Sequence, residues 1–168
     1  MRAGFAVIGV LMSSPICAQD FLQQWRDSAT KAMNEFRAAH WDTLKSNGWH
    51  FVEGVVNAEG VPTADLFIKD VKTQGGSMRS AQVLSAYYAP LHAADGPEYQ
   101  SSKALIWFDC SAGRFGQRAL ERYASIDGAG EPSSSEAAKS TTAPAEMKIA
   151  EQKSIEQTLL TAACAAQI

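Results

Sequence analysis

The spacing of the apolar residues changes at Asn47-Gly48, and this change limits the folds open to the chain. Before Asn47 the apolar side chains recur every three or four residues, which places them on one face of a helix: Leu22, Trp25, Ala29, Ala32, Phe36 and Ala39. Asp20, with Gln23 three residues later, is typical of a helix N-cap, and Asn47-Gly48 is a strong stop signal. The sequence therefore predicts an amphipathic helix that begins at Asp20 and ends before Asn47.

After Gly48 the apolar residues alternate as they do in strands, and turns and loops divide them. Aromatic and β-branched residues favour strands over residues 49–56, 64–72, 78–88, 102–110 and 114–126, with a loop at 90–97. The last strand segment also contains good helix formers, so a helix is the alternative there. Consecutive strands joined by short turns pair antiparallel, and the prediction is a meandering antiparallel sheet.

The C-terminal part of the chain predicts a loop and then a second helix. Residues 127–145 are rich in Gly, Ser, Ala, Pro and Thr without apolar periodicity, which is typical of a flexible surface loop. Ser154 with Gln157 indicates another helix start, and Ile155, Leu159 and Ala162 follow at helical spacing. The fold class is therefore α+β, an antiparallel sheet flanked by an N-terminal and a C-terminal helix.

Residues 1–18 have the order of regions found in a cleavable signal peptide. Arg2 precedes a short apolar run at residues 3–12, and Ala18 supplies the small residue before the cut. The alternative, a membrane anchor or a buried helix, suits the run poorly because a bilayer span needs about 20 apolar residues. Bulky Ile16 before Cys17 is unlike the signal of a lipid-anchored protein.

The prediction is thus an exported protein, periplasmic or secreted, that is not lipid-anchored. Its mature chain comprises a helical segment at 19–47 and an α+β domain at 48–168. Of the 15 Lys and Arg residues one lies in the signal, so the mature net charge is 14 − 18 = −4. A charge this close to zero argues against a general nucleic-acid binder, which would be strongly basic. The mature chain also has no run long enough to span a membrane.

Two cysteines, Cys110 and Cys164, remain after signal cleavage. An even number is expected in an oxidising compartment. The sequence predicts a disulfide between them, with two separate buried thiols as the alternative.

No catalytic, cofactor or metal motif stands up to inspection, so we expect no enzyme. Ser28 and Lys31 match S-x-x-K, but the companion motifs S-D-N and K-T-G are absent. Tyr99 and Lys103 match Y-x-x-x-K without a glycine-rich dinucleotide loop. The three histidines, His40, His50 and His92, show no metal-ligand spacing. The alternative is a small hydrolase whose nucleophile and base are remote in sequence.

One sheet face is a candidate partner site. Alternation in the strand at 102–110 puts Ala104, Ile106, Phe108 and Cys110 on the core side and Trp107 on the other. Arg114, Arg118 and Arg122 are expected to share that second side with Trp107. Trp and Arg often dominate binding interfaces. In the alternative interpretation the N-terminal helix covers this face, with Trp25 and Phe36 on Trp107.

The stretch from about Trp49 to Cys164 resembles the bacterial surface-adhesin protein E family. The resemblance rests on short motifs: residues 83–88 followed by Pro90, Tyr99-Gln100-Ser101-Ser102, Ile106-Trp107-Phe108-Asp109-Cys110, Tyr123-Ala124-Ser125 and Ala163-Cys164. The lipid anchor expected of the prototype is missing, the helix from Asp20 is additional, and Ile149-Ala150-Glu151 stands where a Trp and a Pro-containing turn are expected.

This resemblance implies a small sheet-based domain with a Cys110–Cys164 disulfide and the option of a homodimer. It also implies a non-enzymatic role in binding host or matrix proteins. The second functional hypothesis is a periplasmic accessory protein that supports an envelope complex, and the third is the small hydrolase.

Overall fold

A computed structural model of the chain describes residues 15–92, 96–136 and 146–166. Residues 1–14 of the predicted signal peptide lie outside these ranges, as do residues 137–145 of the predicted loop. The described elements are α1 Pro15–Ser46, β1 His50–Val56, β2 Pro62–Gly75, β3 Met78–His92, β4 Glu98–Asp109, β5 Arg114–Tyr123, β6 Ser134–Glu136, β7 Lys148–Ile149 and α2 Ile155–Ala165.

The strands form one antiparallel sheet in the order in which they occur along the chain. Strands β1 to β6 are consecutive neighbours, and β7 pairs with β5. The predicted α+β class, a meandering sheet with a helix before it and a helix after it, is confirmed. Residues 114–123 are a strand and not the alternative helix. β6 falls inside the predicted loop because residues 134–136 pair with residues 120–122 of β5.

Helix α1 starts earlier than the sequence predicts and stops where predicted. It begins at Pro15, so Asp20 lies inside the helix and is not its N-cap. Proline is tolerated in the first turn of a helix, where no backbone N–H has an intrahelical partner. At the other end Gly48 has a φ of 80°, and its N–H donates to the Lys45 carbonyl. This left-handed glycine ends the helix and turns the chain into β1.

Each face of the sheet packs against a different helix. On one face, which we call the α2 face, strand residues including Leu66, Val83, Ile106 and Phe108 pack against Leu159, Leu160 and Ala163 of α2. The predicted core side of β4 is therefore confirmed. On the opposite α1 face, Phe67, Leu84, Ala86 and Tyr88 pack against Phe36 and Leu44 of α1 and against Trp49. The Phe36 ring lies 6.3 Å from Phe67 and 6.2 Å from Tyr88.

A disulfide fixes α2 to the end of β4. Cys110 and Cys164 are bonded, with their Cα atoms 5.7 Å apart. At the start of α2, Ser154 is the N-cap and its Oγ accepts from the Gln157 N–H at 3.2 Å, as predicted. The amide side chain of Gln157 donates onward to Thr161 instead of back to Ser154.

Candidate binding groove

The predicted surface of Trp107 and three arginines is divided by a bulge in β5. Leu105 pairs with Ala119, whereas the next residue, Ile106, pairs with Gln117. Arg118 is therefore the extra residue of a β-bulge, which reverses the alternation of side chains beyond it. As a result Arg114 lies opposite Asp109 on the α1 face, and Arg122 lies opposite Ser102 on the α2 face. The predicted common face of the three arginines is wrong for this reason.

The individual residues of that surface have other roles. Trp107 keeps only 7% of its surface exposed. The Arg122 guanidinium binds Glu136 at 2.7 Å and lies 5.6 Å from the centre of the Tyr99 ring. These contacts attach β6 to β5, and the hydrogen bond to Glu136 raises the pKa of Arg122. Arg114 is exposed near the turn after β4.

Asp109, which lies opposite Arg114 in the sheet, organises that turn. Its Oδ1 accepts hydrogen bonds from the hydroxyls of Ser111 at 2.8 Å and Ser77 at 2.9 Å. The backbone N–H groups of Ser111 and Ala112 donate to the same oxygen. The Ser111 hydroxyl, followed by the other donors, holds the pKa of Asp109 below its ordinary value. The carboxylate thus stabilises the turn that leads to β5.

A groove of about 630 Å³ lies at one end of the sheet among the described residues. One wall is the N-terminal half of α1, and the other consists of the end of β1, the start of β2 and the second half of β3. Ile155, the first residue of α2, lines it as well. The lining is Trp25, Ser28, Ala29, Ala32, Val55, Pro62, Thr63, Ala64, Leu66, Ser85, Tyr87, Tyr88, Ala89, Leu91 and Ile155.

Small side chains explain why the groove is there. Further along α1, the large Phe36 fills the space between the helix and the sheet. The same apolar stripe carries Ala32 one turn before Phe36 and Ala29 two turns before it. Neither methyl group is long enough to fill the space that Phe36 fills. Ala64 pairs with Tyr87 and shares the α2 face with Leu66, so part of the lining lies on the other face of the sheet from Tyr88. The groove therefore lies at the end of the strands, beside the small residues of α1, and its volume is in the size range of ligand sites.

A buried ion pair holds the α1 wall against the sheet. Asp65 on β2 is fully buried, and Arg37 donates to both of its oxygens at 2.9 and 2.7 Å. Gly54 lies beside Asp65 in the sheet, and a Cβ there would come within 3.2 Å of the Arg37 guanidinium. Glycine thus makes room for this bidentate contact. The hydrogen bond to Asp65 raises the pKa of Arg37.

Tyr88 connects this ion pair to the groove. Burial, followed by the neighbouring Asp65 carboxylate, raises the pKa of the Tyr88 phenol well above its usual range. The phenol therefore stays neutral at physiological pH.

Arg26, in the N-terminal half of α1, makes a second contact that holds this helix. Its guanidinium donates to the Glu59 carbonyl at 2.7 Å. Both walls of the groove are consequently fixed in place.

Large apolar side chains surround the groove and face solvent. Phe21 is 66% exposed, Leu22 42% and Trp25 42% on α1. Leu91 and Ile155 on the far side are also exposed. A cluster of exposed apolar residues beside a groove is typical of a binding surface. Sequence reasoning assigned Trp25 to a core-facing stripe, and the exposed Phe21 beside that stripe was the available signal for a further apolar surface.

The groove lining contains no histidine and no acidic side chain among the described residues. Among the described ranges no group of three or more His, Cys, Asp and Glu side chains could hold a metal ion. His40 and Asp127 lie 3.1 Å apart, but they link α1 to the segment after β5, away from the groove lining. Neither helix of the described chain is long and apolar enough to cross a membrane.

Comparison with known proteins adds a family relationship. A family model described as surface-adhesin protein E matches residues 63–165. The match starts at β2 and ends with α2, so it includes the disulfide, while α1 and β1 lie before it. No curated protein and no solved structure matches the chain significantly.

Proposed function

Because the chain belongs to the surface-adhesin protein E family, we propose that it is an exported, non-enzymatic domain that binds a host or matrix protein. The Cys110–Cys164 disulfide supports export, because such bonds persist in oxidising compartments. The signal-like residues 1–18 support the same proposal. Family membership supports binding over catalysis.

One observation carries the choice of binding surface: the exposed apolar residues Phe21, Leu22 and Trp25 at the open end of α1. Aromatic side chains are enriched where proteins bind each other because they bury large areas with few rotatable bonds. The fixed position of α1, through Arg37 and Asp65, presents them on a rigid support. Rigid presentation lowers the entropic cost of binding.

The experiment is a binding assay of the purified protein against a panel of purified extracellular-matrix proteins. We expect saturable binding to at least one of them, and we expect Phe21→Ser with Leu22→Ser to weaken it at least tenfold. Ala38→Ser, an exposed change on the same helix, is the matched control and should bind normally. Absence of saturable binding to every panel member contradicts the proposal.

The same assay tests the earlier prediction of partner binding through Trp107, Arg114, Arg118 and Arg122. The triple Arg→Ser variant should bind normally if the α1 surface is the contact, and weakly if the strand surface is. Co-purification with envelope components, without matrix binding, would favour the accessory-protein hypothesis. Turnover of a chromogenic ester or glycan would favour the hydrolase.

A further inference from the structure

The outer edge of β1 is open in the described chain. Within the described ranges β1 pairs with β2 on one side and with no strand on the other. The exposure of its side chains agrees with an open edge, since Phe51 is 40% exposed and Val56 58%. A free strand edge presents backbone N–H and C=O groups. An extended polypeptide carries the matching groups at the matching spacing, so backbone chemistry selects the kind of molecule that pairs there.

Other edge segments of the sheet have features that oppose such pairing. β6 has three residues and β7 has two. The part of β2 that extends past β1 contains Lys69, Asp70 and Lys72, and Asp70 has a φ of 52° where the register with β3 shifts. Short strands, charged side chains and bulges are the usual protection of an edge. β1 has seven residues, of which Glu53 alone is acidic, and it contains no lysine and no proline.

Bulges limit the pairing to a short part of β1. Its register with β2 shifts between Phe51 and Glu53 and again after Val55. The Thr63 hydroxyl donates to the Val55 carbonyl, so that carbonyl faces β2. Residues of an antiparallel strand alternate between those that bond to the neighbouring strand and those that do not, so Gly54 directs its N–H and C=O outward. A pairing this short is weak alone, and the side chains of the partner must add to it.

A cationic and aromatic strip borders the edge on the α1 side. It consists of Phe51 with Arg37, Trp41 and Lys45 of α1. The Trp41 and Phe51 rings lie 4.9 Å apart, and Lys45 Nζ lies 5.6 Å from the centre of the Trp41 ring. The Arg37 side chain is 34% exposed although it binds Asp65. The two cations outnumber this one carboxylate, so the strip attracts acidic side chains.

An uncharged groove of about 410 Å³ borders the edge on the α2 side. It is lined by Phe51 and Val52 of β1 and by five uncharged residues of α2 between Gln157 and Ala165. Glu53 pairs with Leu66 and therefore lies on the α2 side as well, where it repels acidic side chains. Since successive side chains of a strand point to opposite sides, an added strand places every second side chain on the strip and the others along this groove.

We propose that the β1 edge binds an extended acidic segment of a protein partner by β-strand addition. Acidic side chains of the segment lie on the strip, and apolar side chains lie along the α2 groove. This surface shares no residue with Phe21, Leu22 and Trp25, which carry the proposed function, so the two proposals are tested separately.

The probe is a fluorescently labelled synthetic peptide in which Val and Glu alternate over seven residues, the length of β1. Fluorescence anisotropy should show saturable binding that is roughly tenfold tighter than for the same peptide with Lys in place of Glu. N-methylation of its central backbone amides should remove most of the binding, because it removes the N–H donors. The absence of saturable binding, equal binding of the acidic and basic peptides, or equal binding of the methylated peptide overturns the proposal.

Charge-reversal variants locate the site. Lys45→Glu should abolish the preference for the acidic peptide. Lys31→Glu is the same change on an exposed part of the same helix, beside Glu35, and should keep the preference. An unaltered preference in Lys45→Glu, or an equal loss in Lys31→Glu, overturns the placement on the strip, and thermal unfolding checks that both variants fold.

A second measurement needs no variant. Hydrogen exchange of the Gly54 amide should slow when the acidic peptide is added, because strand addition gives this outward N–H an acceptor. Unaltered exchange at Gly54 in the presence of saturating peptide overturns strand addition. Phe21→Ser with Leu22→Ser should bind the peptide normally, so this proposal and matrix-protein binding can each fail alone.

Discussion

Arg37 on α1 grips the fully buried carboxylate of Asp65 on β2 through two hydrogen bonds of 2.9 and 2.7 Å. This ion pair connects α1, which precedes the residues matched by the family model, with β2, which lies within them. The Trp41 and Phe51 rings flank the guanidinium, at 5.4 and 5.6 Å from their centres.

The first prediction concerns this ion pair. Arg37→Met should lower the free energy of unfolding by about 3 kcal/mol, because it leaves the Asp65 charge buried without its partner. The value lies at the low end for buried pairs because Arg37 is 34% exposed and water can replace part of its side chain. Denaturant unfolding measures it. Arg26→Met, at an exposed contact, should cost under about 1 kcal/mol, and equal losses would contradict the prediction.

The disulfide gives a second prediction. Thiol titration of unfolded, unreduced protein processed at Gln19 should find no free thiol. Replacing both Cys110 and Cys164 with Ala should lower the unfolding free energy by about 4 kcal/mol, because the bond closes a long loop. Two free thiols, or a double variant as stable as the unchanged protein, would be incompatible with this bond.

Export gives a third prediction. Protein recovered from outside the cytoplasm should have an intact mass that starts at Gln19. Ala18 supplies the small side chain before the cut, and Ala18→Leu should slow processing and leave the longer product. A mass that includes residues 1–18, or a diacylglycerol on Cys17, would refute the predicted cleavage.

A fourth prediction concerns Asp109. Its pKa should lie below 3.8, because the Ser111 hydroxyl and then the Ser77 hydroxyl stabilise the carboxylate. A depressed pKa means that its contribution to stability is present above the ordinary value and is lost as pH falls through the lowered one. NMR titration should find the midpoint raised in Ser111→Ala. Ser46→Ala, in the last residue of α1, should leave it unchanged, and an unaltered midpoint in Ser111→Ala would rule out this cause.

A fifth prediction distinguishes two costs of replacing a glycine with alanine, which are backbone strain and a clash with a neighbouring side chain. Gly130 has a φ of 84° and open space around it, whereas a Cβ on Gly128, with a φ of 70°, would meet Lys103 Cε at 2.6 Å. Gly130→Ala should cost about 1 kcal/mol from backbone strain alone. Gly128→Ala should cost roughly 1 kcal/mol more, because Lys103 must give up its 2.7 Å hydrogen bond to the Gly128 carbonyl. Thermal or denaturant unfolding compares them, and equal losses would show that Lys103 adapts freely.

The fold was accessible from the sequence because its signals are local. Alternation at Ala104, Ile106 and Phe108 identified the face that packs on α2, and Ser154 marked where that helix begins. The bulge at Arg118 was not accessible, since one extra residue leaves both halves of β5 with normal patterns. The face of Arg122 changed as a consequence.

The groove and the ion pair escaped prediction for another reason. In the sequence Asp65 looks like an ordinary polar residue of a strand. Its partner Arg37 is 28 residues away, and only the fold brings the two together. Likewise the groove joins Ala29, Ala64 and Leu91, which no short motif connects. Sites of this kind depend on the packing of α1 on the sheet.

The position of the disulfide has a mechanical consequence when the chain is pulled. If tension acts between the two ends of the described chain, the load reaches Cys110 and crosses directly to Cys164. The segment between them, with a sequence separation of 54, carries no load, so β5, β6, β7 and most of α2 are shielded. Full extension is shortened by roughly 180 Å. The part that can yield is α1 and the first four strands, where the Arg37–Asp65 contact and the Phe36 packing oppose the pull.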